Sequence, residues 1–273
     1  MPVSNEPYWP KPSLNWDSPP AMAFSVPARH NPRLHALVER INADEELWQL
    51  WRCANVNAVD RLGLNDHGEV HVRIVANAAL KLLRLLREAG HTPAVVVHHH
   101  LLPEDAEVMV VLAAALHDLD IAAYGGARAE SLTPLLATLK ARELLADLYP
   151  PRKRAIVFSE ALHAIAAHHA QVRSLTLEAG VLTLADALDL AAGRLRRNGA
   201  DDVAINEVTI RKGAGRPVCV EVHMRAATGL FQVEALLRSR LQQSTLAELV
   251  EIVARIEDET GKRLLPLNML QAA

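Results

Sequence analysis

Residues 107–118 read EVMVVLAAALHD, in which nine consecutive apolar residues, from Val108 to Leu116, are followed at once by His117 and Asp118. A segment that is apolar on every side predicts a helix buried in the centre of the protein. An imidazole and a carboxylate are costly to bury at the end of such a helix unless they have a partner, and a divalent cation is an effective one. The segment therefore predicts a central helix that ends at a polar site.

Two other apolar segments each carry one histidine or aspartate of the same kind. His71 opens the segment HVRIVANAALKLL, and Asp186 lies within VLTLADALDLAAG. Three helices can present such ligands at one point in the core, as helical bundles do in metal sites; the ligands would be His71, His117, Asp118 and Asp186. Taken singly, each could instead be a hydrogen-bonded core group or a helix cap. The set is what favours a metal site.

The composition points to a helical protein. Half of the 273 residues are hydrophobic but only 4% are aromatic, so the core must be built from Ala, Leu, Val and Ile. Ala and Leu are strong helix formers. Apolar residues at helical spacing predict helices at residues 32–41, 45–62, 68–89, 104–120, 132–148, 155–169 and 175–196. The fold class is therefore expected to be mainly α.

The pattern predicts three parts along the chain. Residues 1–30 contain seven prolines and are expected to form an extended arm. Residues 31–198 form the helical metal-binding domain. Beyond that, the apolar period changes from about 3.6 to about 2 in VAINEVTIRKG and RPVCVEVHMRA, which predicts two strands. Two amphipathic helices, at 231–242 and 245–260, then complete a small α+β unit of order β-β-α-α at residues 199–273.

Charge and composition argue against several classes of protein. The 29 basic and 32 acidic residues give a net charge of −3, which makes binding to large nucleic acids or anionic membranes unlikely as a function. No stretch reaches the roughly 18 apolar residues of a membrane span, and the first residues lack a secretory signal. Cys53 and Cys219 form no CxxC pair. A cytoplasmic protein is the default expectation.

Three consecutive histidines, 98–100, cannot all point at one ion and are expected in a surface loop.

The order and context of the four proposed ligands resemble the signature of the HD superfamily of metal-dependent phosphohydrolases. In that family the first His opens a helix of the form H-x-x-x-V-A, a His-Asp pair ends L-x-A-A-L-L-H-D, and the last Asp lies in A-D-x-L-D. This chain has HVRIVA at 71–76, LAAALHD at 112–118 and ADALD at 185–189. The segments ANVNAVDRLGLNDHGEVH and SEALHAIAAH also resemble a narrower group within the family. The resemblance covers about residues 31–197.

The resemblance implies an HD-domain helical bundle that holds one divalent metal ion (Mn, Fe, Co, Ni, Zn or Mg). It further implies an enzyme in which a metal-activated water hydrolyses a phosphoester of a nucleotide or a small phosphorylated metabolite. The expected catalytic residues are Asp118, Asp120 and His163, with Asp189 as a further acid that could accept the proton of the water. The expected substrate-binding residues are His67, Arg128, Lys153, Arg154 and His168, although the basic ones could be ordinary surface charges. An exposed strand edge in the C-terminal unit is compatible with a homodimer.

Two departures from the HD pattern leave other functions open. Ile-Gly commonly follows the His-Asp pair in the family, whereas Leu119 and Asp120 follow it here. The segment GGARAES at 125–131 has Ala127 and Arg128 where binuclear relatives often supply a histidine, so one metal is expected rather than two. The alternatives are a cyclic-nucleotide or other cyclic phosphodiesterase on the same scaffold, and a catalytically degenerate scaffold that acts as a binding or regulatory protein.

Overall fold

Helices make up most of the chain that the computed structural model describes, which comprises residues 22–124, 133–169, 172–190, 205–224, 230–258 and 261–266. The helices are α1 (Pro32–Ala43), α2 (Glu45–Asn55), α3 (Glu69–Glu88), α4 (Ala94–His99), α5 (Pro103–Leu116), α6 (Ile121–Tyr124), α7 (Thr133–Leu144), α8 (Pro151–His168), α9 (Leu177–Ala187) and α10 (Leu230–Gln243). The strands are β1 (Ile205–Lys212), β2 (Val218–Met224), β3 (Val250–Asp258) and β4 (Gly261–Pro266). The expectation of a mainly helical fold is confirmed.

Helix α5 lies at the centre of the bundle. All of its residues from Asp105 to Leu116 are buried, and it packs against α1, α3, α4, α7, α8 and α9. Its apolar run supplies side chains on every face, so each neighbouring helix finds an apolar surface to pack against. The prediction of a central buried helix at this segment is therefore confirmed, and its C-terminal end delivers His117 and Asp118 into the interior.

Local hydrogen bonds set where the neighbouring helices begin. Helix α9 starts after Thr176, whose Oγ1 accepts a hydrogen bond from the backbone N–H of Ala179 at 3.1 Å. Helix α3 starts after Gly68, whose backbone N–H donates to Asp66 Oδ1 at 2.8 Å. The side-chain cap of α9 fixes the register of that helix, and the Asp66 contact holds the residue from which α3 begins. These starts therefore place the proposed ligands of α3 and α9 at defined heights beside α5.

A π-helical turn at Val56–Arg61 interrupts what the sequence predicts as one helix over residues 45–62. Its residue Asn57 donates two hydrogen bonds from Nδ2, to the carbonyl oxygens of Ile121 at 2.7 Å and Ala122 at 2.8 Å. Those carbonyls belong to α6, which follows the His-Asp pair directly. The turn thus anchors the segment that leaves the end of α5, and π-helical turns are often found at such functional positions.

Two of the three histidines expected in a loop, His98 and His99, belong to a short helix, α4, so the prediction was wrong at these two residues. Helix α4 is ended by His100, which has a positive φ of 54°. His98 is exposed, and His99 Nε2 lies 2.8 Å from Glu160 Oε1. The three histidines therefore lie at the C-terminal end of a surface helix.

The C-terminal region has the order β-β-α-β-β, so the helix predicted at residues 245–260 was wrong. The strands form one sheet of order β1-β2-β3-β4, in which β2 and β3 are parallel and the other pairs are antiparallel. The apolar residues of 245–260 fit the spacing of a helix and that of a strand. A strand forms because β2 provides a parallel partner and because the β-branched side chains of the segment favour a strand. Burial along β3 alternates, with Val250, Ile252, Ala254 and Ile256 buried. A homodimer through the outer strands stays a prediction.

The sheet and the helices share one contiguous apolar core. Helix α3 packs against β1 and β2, and α10 packs against α9. The expected domain boundary near residue 198 lies outside the described residues, so the division into separate domains stays a prediction. Of the expected N-terminal arm, residues 22–30 are described, and Phe24 is buried with its ring centroid 5.9 Å from that of Trp51. No helix in the described ranges combines the length and apolarity that a membrane span requires.

We expect Gly180→Ala to weaken the packing of the C-terminal region on the bundle. A Cβ at Gly180 would overlap Thr245 Oγ1 and lie 3.1 Å from the backbone nitrogen of Thr245. Forcing a methyl group into a filled contact typically costs about 1–3 kcal/mol, more than the roughly 0.5–1 kcal/mol that alanine gains in a helix. Urea denaturation followed by circular dichroism should therefore show a lower free energy of unfolding.

The matched test is Gly180→Ala in a Thr245→Ala background, where the overlapping hydroxyl is gone. The cost of the alanine should be smaller there than in the wild-type background, because the two residues act on one contact. An equal cost in both backgrounds, or no cost in either, would show that this contact does not hold the two regions together.

Candidate metal centre

The proposed ligands converge where the ends of four helices meet. His71 lies in the first turn of α3, and His117 and Asp118 follow the last residue of α5. His168 is the last residue of α8, and Asp186 lies in the last turn of α9. The structure therefore brings together all four residues that the sequence predicts as metal ligands.

The ligand atoms are spaced as they would be around one ion. The Nε2 atoms of His71 and His117 are 3.2 Å apart, and they lie 3.3 Å and 3.2 Å from Asp118 Oδ2. The same two nitrogens lie 3.5 Å and 3.7 Å from Asp186 Oδ1. Neighbouring ligands around an ion with bonds of about 2.1 Å are roughly 3.0–3.4 Å apart. Small side-chain shifts would bring all four atoms to bonding distance of a common ion.

Hydrogen bonds on the opposite ring nitrogens orient the imidazoles. His117 Nδ1 donates to the carbonyl oxygen of Ala114 at 2.8 Å, and His71 Nδ1 donates to Asp189 Oδ2 at 2.7 Å. In these contacts the carbonyl and carboxylate oxygens accept and each Nδ1 donates, so the neutral ring presents the lone pair of Nε2 to the cluster. Asp189 is thus the carboxylate that orients His71, in place of the acid role expected for it.

The site has a strongly negative potential. Burial alone would lower the pKa of His71, but hydrogen bonds and charge interactions with Asp118 and Asp189 outweigh it and raise that pKa to about 9. The pKa of His117 is also raised, since Asp118 and Asp186 outweigh the effect of burial. If both rings were protonated, two positive imidazoles would face each other across 3.2 Å. One divalent cation shared by both lone pairs satisfies the site without that repulsion.

Three more histidines extend the cluster around Asp118. His67 Nδ1 lies 2.8 Å from Asp118 Oδ2, and His168 Nε2 lies 3.7 Å from Asp118 Oδ1. The ring of His169 lies 3.9 Å from that of His168, and burial together with that neighbour lowers the pKa of His169 to about 4. His67, His71 and Asp118 form one possible ligand group, and His117, Asp118 and His168 form another. The structure thus places His67 and His168 beside the proposed ligands, and their role in substrate binding stays a prediction.

Other predicted residues lie away from the ligands or outside the described chain. His163 is not brought into the cluster, because its Nε2 accepts a hydrogen bond from the backbone N–H of Leu175 at 3.1 Å. It is five residues before His168, which turns it about 140° away around α8. Its expected catalytic role therefore has no geometric support. Asp120 is buried close to the pair in sequence but belongs to none of the ligand groups among the described residues.

Two of the basic residues expected to bind phosphate, Lys153 and Arg154, lie far from the centre. Lys153 and Arg154 lie in the first turn of α8, whereas His168 ends that helix. At about 1.5 Å per residue, the two ends are roughly 22 Å apart, so these side chains point to a different part of the surface. Arg128 lies outside the described residues.

One functional candidate, Arg240 of α10, was not predicted. Its NH2 lies 3.6 Å from Asp186 Oδ2, and its NH1 donates to the backbone carbonyl oxygen of His168. In the sequence it is one of two arginines in LLRSRLQQ, and periodicity does not distinguish it from Arg238. Only the packing of α10 against α9 could have revealed it.

Fold and cluster together define a mainly helical protein whose bundle carries a buried His/Asp site able to hold a divalent ion. The chain is 32% identical over 217 residues to the uncharacterized protein MJ1020 of Methanocaldococcus jannaschii, a match that covers 76% of this chain and 83% of the relative. It therefore belongs to the family of that protein. No family model matches the chain, and no solved structure matches it.

We expect Asp189→Ala to reduce the affinity for a divalent ion about 10- to 100-fold, because the carboxylate that orients His71 would be lost. Asp189→Asn should have a smaller effect, since its amide oxygen can still accept the hydrogen bond. Calorimetric titration of the metal-free protein with Mn²⁺ and with Zn²⁺ measures both. The control is Glu143→Gln, whose side chain is 61% exposed on α7. Unchanged affinity in Asp189→Ala would refute the orienting role.

Proposed function

We propose that this protein is a divalent-metal-dependent phosphohydrolase on an HD-domain helical bundle, and that it cleaves a phosphoester of a nucleotide or small phosphorylated metabolite. The observation that carries the proposal is the convergence of two imidazole nitrogens 3.2 Å apart, each of which lies 3.2–3.7 Å from an oxygen of both carboxylates. The residues that supply them, His71, His117, Asp118 and Asp186, are also the ones that match the HD signature. Motif and geometry are independent arguments for the same four positions.

The donor set narrows the choice of metal. Imidazole nitrogen and carboxylate oxygen suit borderline and hard divalent ions, so the candidates are Mn²⁺, Fe²⁺, Co²⁺, Ni²⁺, Zn²⁺ and Mg²⁺. Cys53 and Cys219 belong to none of the ligand groups among the described residues, and a thiolate site is therefore not part of the proposal. Within this set the two histidines favour a transition metal over Mg²⁺.

His71, His117, Asp118 and Asp186 would hold the ion. When bound, it would act as a Lewis acid that lowers the pKa of a water and offsets negative charge on phosphorus. Hydrolysis moves a proton away from the attacking water and delivers one to the leaving oxygen. The ring of His67, whose Nδ1 lies 2.8 Å from Asp118 Oδ2, can hold and pass such a proton. Asp118 would then act as a metal ligand that also orients this ring.

Exposure indicates where a substrate would reach the centre. The side chains of His71 and His117 are 4% and 0% exposed, whereas those of Asp186 and His67 are 15% and 24% exposed. A phosphate group would therefore enter along the edge that Asp186 and His67 define. The acidic net charge of −3 supports a small phosphorylated substrate over a long nucleic acid.

The proposal is tested by metal content and hydrolysis together. Purified protein should contain a divalent metal in stoichiometric amount by elemental analysis, and with Mn²⁺ it should hydrolyse p-nitrophenyl phosphate or a nucleoside monophosphate. His117→Ala should lose the metal and lower kcat/KM by more than about 100-fold, since even residues that only orient a ligand can cost that much. His98→Ala, which removes an exposed histidine from α4, should change neither quantity.

The substrate panel separates the proposal from its alternatives. Hydrolysis of 2′,3′- or 3′,5′-cyclic nucleotides but not of monoesters would identify a cyclic phosphodiesterase on the same scaffold. A protein that binds metal yet hydrolyses none of these compounds would be a binding or regulatory scaffold. Absence of metal at every pH tested would contradict the proposal in all of its forms.

A further inference from the structure

Arg240 connects the C-terminal region to the proposed metal centre. It lies on α10, the helix between the parallel strands β2 and β3, and its guanidinium contacts both Asp186 and the end of α8. The contact with Asp186 is to Oδ2, whereas Oδ1 of the same carboxylate faces the two imidazole nitrogens. The guanidinium and the proposed ion would therefore face adjacent oxygens of one carboxylate.

The position is also at the accessible edge of the site. The Arg240 side chain is 23% exposed, close to the values for Asp186 and His67 and well above those of the buried ligands. A molecule that approaches Asp186 from solvent passes the guanidinium. The electrostatics of that approach matter, because the carboxylates of Asp118, Asp186 and Asp189 repel a phosphate unless a cation faces it.

The chemistry of the guanidinium fits this place. It is planar, keeps its charge at all relevant pH values, and offers five N–H donors, which suits phosphate oxygens. Its contacts with Asp186 and with the carbonyl of His168 hold the plane in one orientation, so little side-chain freedom is left to lose on binding. A preoriented cation beside a metal site is a favourable arrangement for binding an anion.

The neighbouring arginine of the same helix has a different partner. Arg238 forms an ion pair with Glu234, one turn away on α10. Helix α10 itself is held by the packing of Thr245 on α9, where Thr245 Oγ1 donates to the carbonyl of Thr176 at 2.9 Å. The C-terminal region thus fixes Arg240 against the edge of the centre.

We propose that Arg240 is a substrate-binding residue that holds a phosphoryl oxygen beside the metal centre. This inference rests on the phosphohydrolase function proposed above and makes the C-terminal region part of the phosphate-binding site. In this proposal Arg240 has the phosphate-binding role that the sequence analysis expected of Lys153 and Arg154, which lie at the far end of α8.

The test measures binding of inorganic phosphate to full-length, Mn²⁺-loaded protein by calorimetry, with metal content determined on the same samples. Arg240→Met should keep the metal, because Arg240 is not a ligand, and should raise the Kd for phosphate at least about tenfold. Arg240→Lys keeps the charge but not the planar fork, so its Kd should rise by less. Arg238→Met is the matched control from the same helix and should bind phosphate as the wild type does.

The possible outcomes separate this inference from the proposed function. If Arg240→Met binds phosphate within twofold of the wild type while metal and activity persist, the role of Arg240 is refuted and the hydrolase proposal stands. If the wild type loads no metal, both are refuted. Should Arg240→Met fail to fold, Arg240→Lys decides: a Kd equal to that of the wild type refutes the inference, and a Kd raised several-fold supports it.

Discussion

The constraint on which this fold depends is the burial of two imidazoles and two carboxylates at one point between helices. The two Nε2 atoms lie 3.2 Å apart, and each lies 3.2–3.7 Å from an oxygen of both carboxylates, in a core that is built mostly from Ala, Leu, Val and Ile. Buried groups of this kind need a positive charge among them. The contacts of His71 with Asp189 and of His117 with the Ala114 carbonyl strengthen the preference for a cation. In both contacts Nδ1 donates, which leaves Nε2 as an acceptor that faces the cluster.

The arrangement of the helices reinforces the same preference. His117 follows α5, His168 ends α8, and Asp186 lies in the last turn of α9, so three helix C-termini are directed towards the cluster. A helix C-terminus carries a partial negative charge from its unsatisfied carbonyl groups, and such charges favour a nearby cation. The backbone and the carboxylates therefore act in the same direction. Packing around α5 brings these helix ends together, so the position of the polar site depends on the apolar run of that helix.

The sequence predicts those features of the fold and the site that depend on local patterns of apolar and polar residues. An uninterrupted apolar run identifies the central helix, and His71, His117 and Asp186 are recognisable because each interrupts an apolar surface. Contacts that arise only from tertiary packing produce no recognisable pattern in the sequence. Arg240 is 54 positions beyond Asp186, and His163 matches a motif although its ring turns towards Leu175. The segment 250–258 fits a helix and a strand equally well, and pairing with β2 decides between them.

The mixed sheet has a consequence for the site that the helical motif alone would not suggest. Parallel pairing of β2 with β3 requires a crossover connection, and α10 provides it. Because the sheet packs on α3 and α10 packs on α9, the crossover connection links the helix that carries His71, through the sheet, to the helix that carries Asp186. The pairing of β2 with β3 thus controls the position of a cation at the edge of the cluster. A bundle without this region would retain the four ligand side chains but would lose the guanidinium that faces Asp186.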